Sequence, residues 1–231
     1  RTDHPGERLF ASEVRKAKAA GEWTIPRPHV NCYLTPRKDE WFVNVSRMNG
    51  VDPTDPQQLS DAETLGRRQV REVMNLFQKY VSKDIRLSAL ATTLGIRESR
   101  HVLGDTVVDK DDILAGRVPD DSIALCAYAI ALHGGKGASG TLFLTVEKGE
   151  YYGIPYRALV PRTVENLLVA GRCISATSVA AASLRVMPPA MATGEAAGTA
   201  AALCVKAGTT PRKLDVSNLI ATLRSQKVYL G

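Results

Sequence analysis

One stretch of the chain repeats its apolar residues at helical spacing: Val70, Val73, Met74, Phe77, Tyr80 and Val81. Residues three and four apart share a helix face, so this set predicts an amphipathic helix with one broad apolar side turned to a core. Ahead of it, Ser60 and Glu63 form an S-x-x-E pair, which predicts a capping box at the helix start. The first 22 residues are polar and suit a helix near Glu7 to Ala20. From Pro26 to Met48 the chain reads as extended. Trp41, Val43 and Val45 alternate with Phe42, Asn44 and Ser46, the period of a half-buried strand. Asn49-Gly50 is a turn signal that Pro53 and Pro56 prolong. A second helix is expected over Leu87 to Leu94.

The second half has a different texture. The run SIALCAYAIAL (Ser122 to Leu132) reads as a buried strand, or a strand plus a turn. TLFLTVE (Thr141 to Glu147) is rich in β-branched and aromatic residues and could pair with it. Tyr151 to Val160 predicts a further strand. Asn166 to Ala170 is a short apolar run that stops at Gly171-Arg172, the pattern of a buried parallel strand. A helix of Ala, Gly and Thr runs from Pro188 to Ala207 and stops at Gly208. Thr210 would cap the last helix and Pro211 would open it, with Val216, Leu219, Ile220 and Leu223 inward.

The small-residue helix is the most informative element. Ala190, Gly194, Gly198 and Ala202 fall four residues apart and make one thin stripe. Such a face lets another backbone, or a flat ligand, come close. Core packing and ligand binding both remain open at this point. The unpaired N–H groups and the positive dipole end at its start favour an anionic or electron-rich group. A membrane helix is the weaker reading, because Glu195 and Lys206 bracket too short an apolar span.

Composition narrows the function classes. The 231 residues carry a net charge of +6, and the basic residues are scattered without interleaved aromatics, which argues against a nucleic-acid surface. A modest positive balance still attracts an anionic cofactor or substrate. No run spans a bilayer. Cys32, Cys126, Cys173 and Cys204 make no C-x-x-C pair, so no metal or cluster site is expected and a reducing cytoplasm suits them. Cys173 reads first as a small buried residue. Gly135 to Gly140 (GKGASG) matches G-x-G-x-x-G letter for letter, but a strand pattern follows it where the nucleotide fingerprint needs a helix.

Longer blocks carry a resemblance. IPYRALVPRTVENLLVAGRCIS, followed by SLRVMPPAMATGEAAGTAAAL, together with LGIRESRHVLGDTVVDKDDILAG upstream (Leu94 to Gly116), resembles the FAD-dependent oxidoreductase family that includes heterodisulfide-reductase-A-like proteins. The blocks cover roughly a third of the chain. The resemblance implies a mixed α/β fold. Residues 151–231 would form the C-terminal part of a doubly wound FAD-binding domain, and residues 1–150 a mixed-sheet and helix substrate domain. It implies FAD as cofactor and two-electron chemistry on a small-molecule substrate. The family's opening strand, G-x-G-x-x-G turn and helix, which hold the ADP half of FAD, are not found here. An N-terminal segment or a partner chain is therefore expected to supply them, and a homo-oligomer is conceivable.

The resemblance also nominates residues. Gly171 and Arg172 would meet the pyrophosphate or ribityl chain, since the guanidinium fork suits phosphate. Met187, Pro188, Ala192 and Gly194 would face the flavin ring. Arg97 and Arg100, flanking Glu98, either grip a carboxylate or fix local structure, and Arg185 is a second active-site candidate. His133 is a candidate for proton transfer, its usual pKa lying near neutrality. The chain departs from the family where relatives carry a His after ISAT (here Ser178-Val179-Ala180-Ala181) and an acidic residue before the middle His (here Ala131-Leu132). Those departures imply a changed substrate, or a catalytically inactive flavin-fold module.

Overall fold

The computed structural model describes residues 9–133, 141–146 and 151–231. The chain divides into two compact units, residues 1–96 with 133–140, and residues 97–132 with 141–231.

The first unit holds helix α1 (Ala11–Ala19), strands β1 (Asn31–Leu34) and β2 (Trp41–Asn44), and helix α2 (Pro56–Tyr80). β1 and β2 pair antiparallel, with Tyr33 opposite Phe42 and Leu34 opposite Trp41. The expected alternation holds only on the inner side: Val45 is buried and Val43 half-buried, while Trp41 and Phe42 are both exposed. The core of this unit gathers Val14, Ala17, Trp23, Ile25, Val30, Val45, Val73, Leu76 and Phe77. Gln69 is buried among them and bonds the backbone of Arg47 on both sides, accepting from its N–H at 2.8 Å and donating to its carbonyl at 2.9 Å. A buried amide is tolerated because both its ends are satisfied.

Two sequence expectations change here. α2 begins at Pro56, four residues before Ser60, because Asp55 caps Gln57 and Gln58 and Pro56 occupies the first helical position. Pro at that position loses no helical bond, so the Asp-Pro signal wins over the capping box. Leu87 to Leu94 is not helical. Leu87 and Leu90 are exposed, and the Leu94 amide donates to the Glu63 side chain at 2.7 Å. A short stretch with no buried stripe has nothing to offset the cost of helix nucleation.

The second unit holds α3 (Lys110–Leu114), β3 (Ser122–Cys126), β4 (Ile130–His133), β5 (Thr141–Leu144), β6 (Tyr152–Pro155), α4 (Ser178–Leu184), α5 (Met187–Ala207) and α6 (Val216–Ser225). β4 pairs with β5, as expected of the run that ends at Leu132. Its first part, β3, instead pairs antiparallel with β6, and the strand expected from Tyr151 to Val160 ends at Pro155, where a 3-10 turn (Tyr156–Leu159) takes over. The GKGASG loop lies outside the described residues. So does the side chain of His133, whose backbone closes β4.

Asn166 to Ala170 is not a strand. Asn166 takes a positive φ of 57° and is exposed with Leu167, while Leu168 to Ala170 are half-buried and tied by Val169 N–H to Leu159 O at 3.0 Å. A parallel strand needs hydrogen-bonding neighbours, and among the described residues this run has no ladder partner. Thr210 does not cap the last helix either. Asp215 does, accepting from Ser217 N–H, while Pro211–Lys213 form a separate 3-10 turn. Arg212 holds that turn in place through Asp105, Glu165 and the carbonyls of Pro161 and Arg162.

The core of the second unit is aliphatic and fully enclosed around Ile113, Ile123, Ile130, Ile154, Leu159, Leu219 and Leu223. α5 turns Pro189, Thr193, Ala196, Ala200 and Cys204 into it and packs on β3 and α6.

Candidate functional site

The segments Val102 to Val108 and Cys173 to Thr177 lie side by side. Val102 N–H donates to Cys173 O at 3.0 Å, Val108 N–H to Ser175 O at 3.1 Å, and Thr177 N–H to Val108 O at 2.9 Å. Ser175 N–H reaches Ala158 O at 2.9 Å from the other side. Gly104 makes this approach possible, since a Cβ there would stand 2.7 Å from that of Ser175.

Gly171 begins a 3-10 turn (Gly171–Cys173) with φ +74°, a region that favours glycine. Its amide donates to Thr193 Oγ1 at 3.0 Å, which ties the turn to the first turns of α5. Arg172 and Cys173 point outward. Arg172 has no hydrogen-bond or ion-pair partner among the described residues. Cys173 is exposed, contrary to the small-buried-residue reading, because the turn leaves the core before Ile174 re-enters it.

The mouth of α5 is open. Met187 is 78% and Met191 73% exposed, and of the thin stripe Gly194, Gly198 and Ala202 are exposed while Ala190 is half-buried. A Cβ on Gly194 or Gly198 would meet nothing within 4 Å. Among the described residues Gly194 and Gly198 are therefore not part of a packing face. Pro188 is exposed, and Ala192 is half-buried.

A second cluster surrounds the C-terminal end of α4. The Arg185 guanidinium is only 13% exposed, lies 3.7 Å from Glu98 Oε2 and donates to Ala131 O at 3.4 Å. Burial, and after it the like charge of Arg97, pull this group below its usual pKa, with Glu98 and Tyr128 acting in the opposite direction. Glu98 Oε1 lies 3.2 Å from His101 Nε2, and His101 Nδ1 lies 3.1 Å from Ile174 O. A carbonyl only accepts, so Nδ1 carries a proton there.

Behind the cluster, Tyr152 donates to Ser183 Oγ at 2.6 Å, and Ser183 donates to Tyr128 O at 2.5 Å. Burial, more than its neighbour Cys126, holds the Tyr152 phenol well above its usual pKa. These bonds fix the connection between β3 and β4, which also carries the half-exposed Tyr128.

Of the residues nominated from sequence, the fold brings Arg97 and Arg185 together around Glu98. Arg100 is exposed. His101 was quoted within its block but not singled out, and its only sequence signal is the i, i+3 spacing from Glu98.

A family model for FAD dependent oxidoreductases matches residues 2–223. The chain belongs to that family. Its cofactor is FAD. No curated protein and no solved structure matches the chain. Among the described residues, no helix is long and apolar enough to cross a membrane, and no group of side chains is arranged to hold a metal.

The residues fit part of the cofactor better than the rest. The open stripe at Gly194 and Gly198 leaves room for a flat ring, and Arg172 offers an unengaged guanidinium. The start of α5 is a poor phosphate cradle. Pro188 and Pro189 have no N–H, Ala190 N–H is bonded to Val186 O, and only Met187 retains a free first-turn donor. The dipole remains, so this end suits a carbonyl or a delocalised charge more than a phosphate.

Proposed function

We propose that this member of the FAD dependent oxidoreductases moves two electrons between a small substrate and FAD, with the ring lying along the open start of α5. The observation that carries this reading is the exposed stripe of Gly194, Gly198 and Ala202, with the half-buried Ala190 at its head, beside the unengaged Arg172. Long ordered blocks favour the heterodisulfide-reductase-A-like branch. Residues 151–231 act as the flavin side and residues 1–150 as the substrate side. The ADP half is held by a G-x-G-x-x-G unit from a preceding segment or a partner chain. Sparse cysteines suit work in a reducing cytoplasm.

FAD supplies the electron acceptor or donor. Arg172 would hold phosphate or ribityl oxygens, with Gly171 setting the turn that presents it. Met187, Pro188 and Ala192 would contact the flavin, and the positive end of α5 would stabilise negative charge beside it. Arg97, Arg100 and Arg185 orient the substrate, and His133 transfers a proton.

The reading is tested by adding FAD to the protein and following flavin fluorescence quenching. Uptake is expected, and Gly194→Leu, which fills open space without touching the core, is expected to abolish it. Undiminished uptake in Gly194→Leu would place the ring elsewhere. No uptake by the protein with its ADP-binding unit present would end the flavin assignment.

A further inference from the structure

Arg185 is the anomaly among the arginines of this unit. Arg157 is 57% exposed, yet grips Asp121 with two bonds, Nε to Oδ2 at 2.9 Å and Nη2 to Oδ1 at 3.2 Å. Arg212, 28% exposed, holds Asp105, Glu165 and two carbonyls. Arg185 is more buried than either, and its contacts are the longest: a carbonyl at 3.4 Å and a carboxylate oxygen at 3.7 Å. Good N–H···O bonds lie near 2.9 Å. Burying a guanidinium is costly unless strong bonds compensate it.

The neighbouring carboxylate cannot close the gap. Glu98 spends Oε1 on His101, whose other nitrogen is fixed by Ile174 O, so Oε2 is held at a distance from Arg185. The like charge of Arg97 also acts on Arg185, and the contacts of the Arg185 guanidinium remain long.

We propose that Arg185 and Arg97 form the binding site for the carboxylate of a small anionic substrate, with the Glu98–His101 pair as its rigid back wall. A carboxylate presents two coplanar oxygens to the guanidinium fork, which matches the donors left unused. This inference rests on the flavin reading for its place in a reaction, but the site itself is testable by binding alone.

The experiment titrates malonate into the protein at low ionic strength by calorimetry, with neutral malonamide and inorganic phosphate as comparison ligands, and repeats each titration with FAD added. Saturable malonate binding is expected, with no malonamide binding and weaker phosphate binding. Arg97→Gln, an exposed change that spares the core, is expected to weaken malonate by about tenfold or more, the loss of one charge-assisted contact. Arg185→Gln should weaken it further, while Arg68→Gln on the exposed side of α2 should not alter it. Equal affinity in Arg97→Gln, no saturable binding, or tighter binding of phosphate than of malonate would overturn the proposal. Competition between FAD and malonate would also overturn it, because Arg185 would then serve the cofactor. FAD uptake is read in the same samples and bears on the flavin reading alone.

Discussion

The amide of Gly171 donates to the Thr193 hydroxyl at 3.0 Å, and that hydroxyl donates in turn to Ala190 O at 3.0 Å. One buried side chain thereby fixes the turn that presents Arg172 against the helix that carries the open stripe. Thr193→Val keeps the shape but leaves the Gly171 N–H without a partner. A buried unsatisfied donor costs about 1–3 kcal/mol. The urea midpoint is expected to fall by a matching amount with an unchanged slope, and Thr193→Ser is expected to restore most of it.

Glycines at two places should respond in opposite ways. Gly104→Ala forces a Cβ to within 2.7 Å of the Ser175 Cβ and 3.0 Å of Arg157 O, neither of which can swing aside. The expected loss is about 1–3 kcal/mol, the usual cost of overpacking. Gly198→Ala meets open space inside a helix, and is expected to gain up to about 1 kcal/mol from helix propensity. Thermal unfolding of both variants checks the pair.

Asp55 links α2 to pH. Its carboxylate accepts from the Gln58 side chain and from the Gln58 and Gln57 amides, which together hold its pKa below the usual 3.8. The folded state thus binds its proton less readily than the unfolded chain. The resulting stability is present above the unfolded value and is lost as pH falls through the folded one. Asp55→Asn keeps an acceptor at the cap but removes this component. Its stability deficit relative to the unaltered protein is expected to shrink between about pH 6 and about pH 2, followed by acid denaturation of both.

Thiol labelling reads the cysteine environments directly. Cys173 is exposed, Cys32 half-buried, and Cys126 and Cys204 buried. Burial also pushes the Cys32 and Cys204 thiols up, lowering their thiolate fraction. Partial alkylation with iodoacetamide at mildly alkaline pH, mapped by mass spectrometry, is expected to modify Cys173 first and Cys32 later. Early labelling of Cys126 or Cys204 would contradict the enclosed core around them.

Several elements are legible in local chemistry. The stripe from Val70 to Val81 yields the inward side of α2, although Val81 itself ends exposed. The β-branched runs give β3, β4, β5 and β6, and Pro188 with Gly208 brackets α5 within a residue. Each of these signals lies within a few neighbouring residues, so no distant partner is needed to interpret it. The misreadings share a cause. Leu87 to Leu94 and Asn166 to Ala170 have suitable residue types, but helix and strand persist only where something buries one face or completes a ladder.

The candidate site divides in the same way. Gly171, Arg172 and the small-residue stripe are visible as a sequence pattern, because glycine and alanine announce close approach wherever they recur every fourth position. Which side of α5 stays open is not written in that pattern. It follows from Pro189, Thr193, Ala196, Ala200 and Cys204 taking the inward side. The meeting of Glu98, His101 and Arg185 depends still more on the fold. Arg185 lies 87 residues beyond Glu98, and only the backbone bonds joining Val102 to Cys173 and Val108 to Ser175 bring their segments together. Residue order alone thus settled the inward side of α2, the span of α5 and the chemical inventory. Packing settled which charges share a buried space, because burial and hydrogen-bond geometry are properties of neighbours in space.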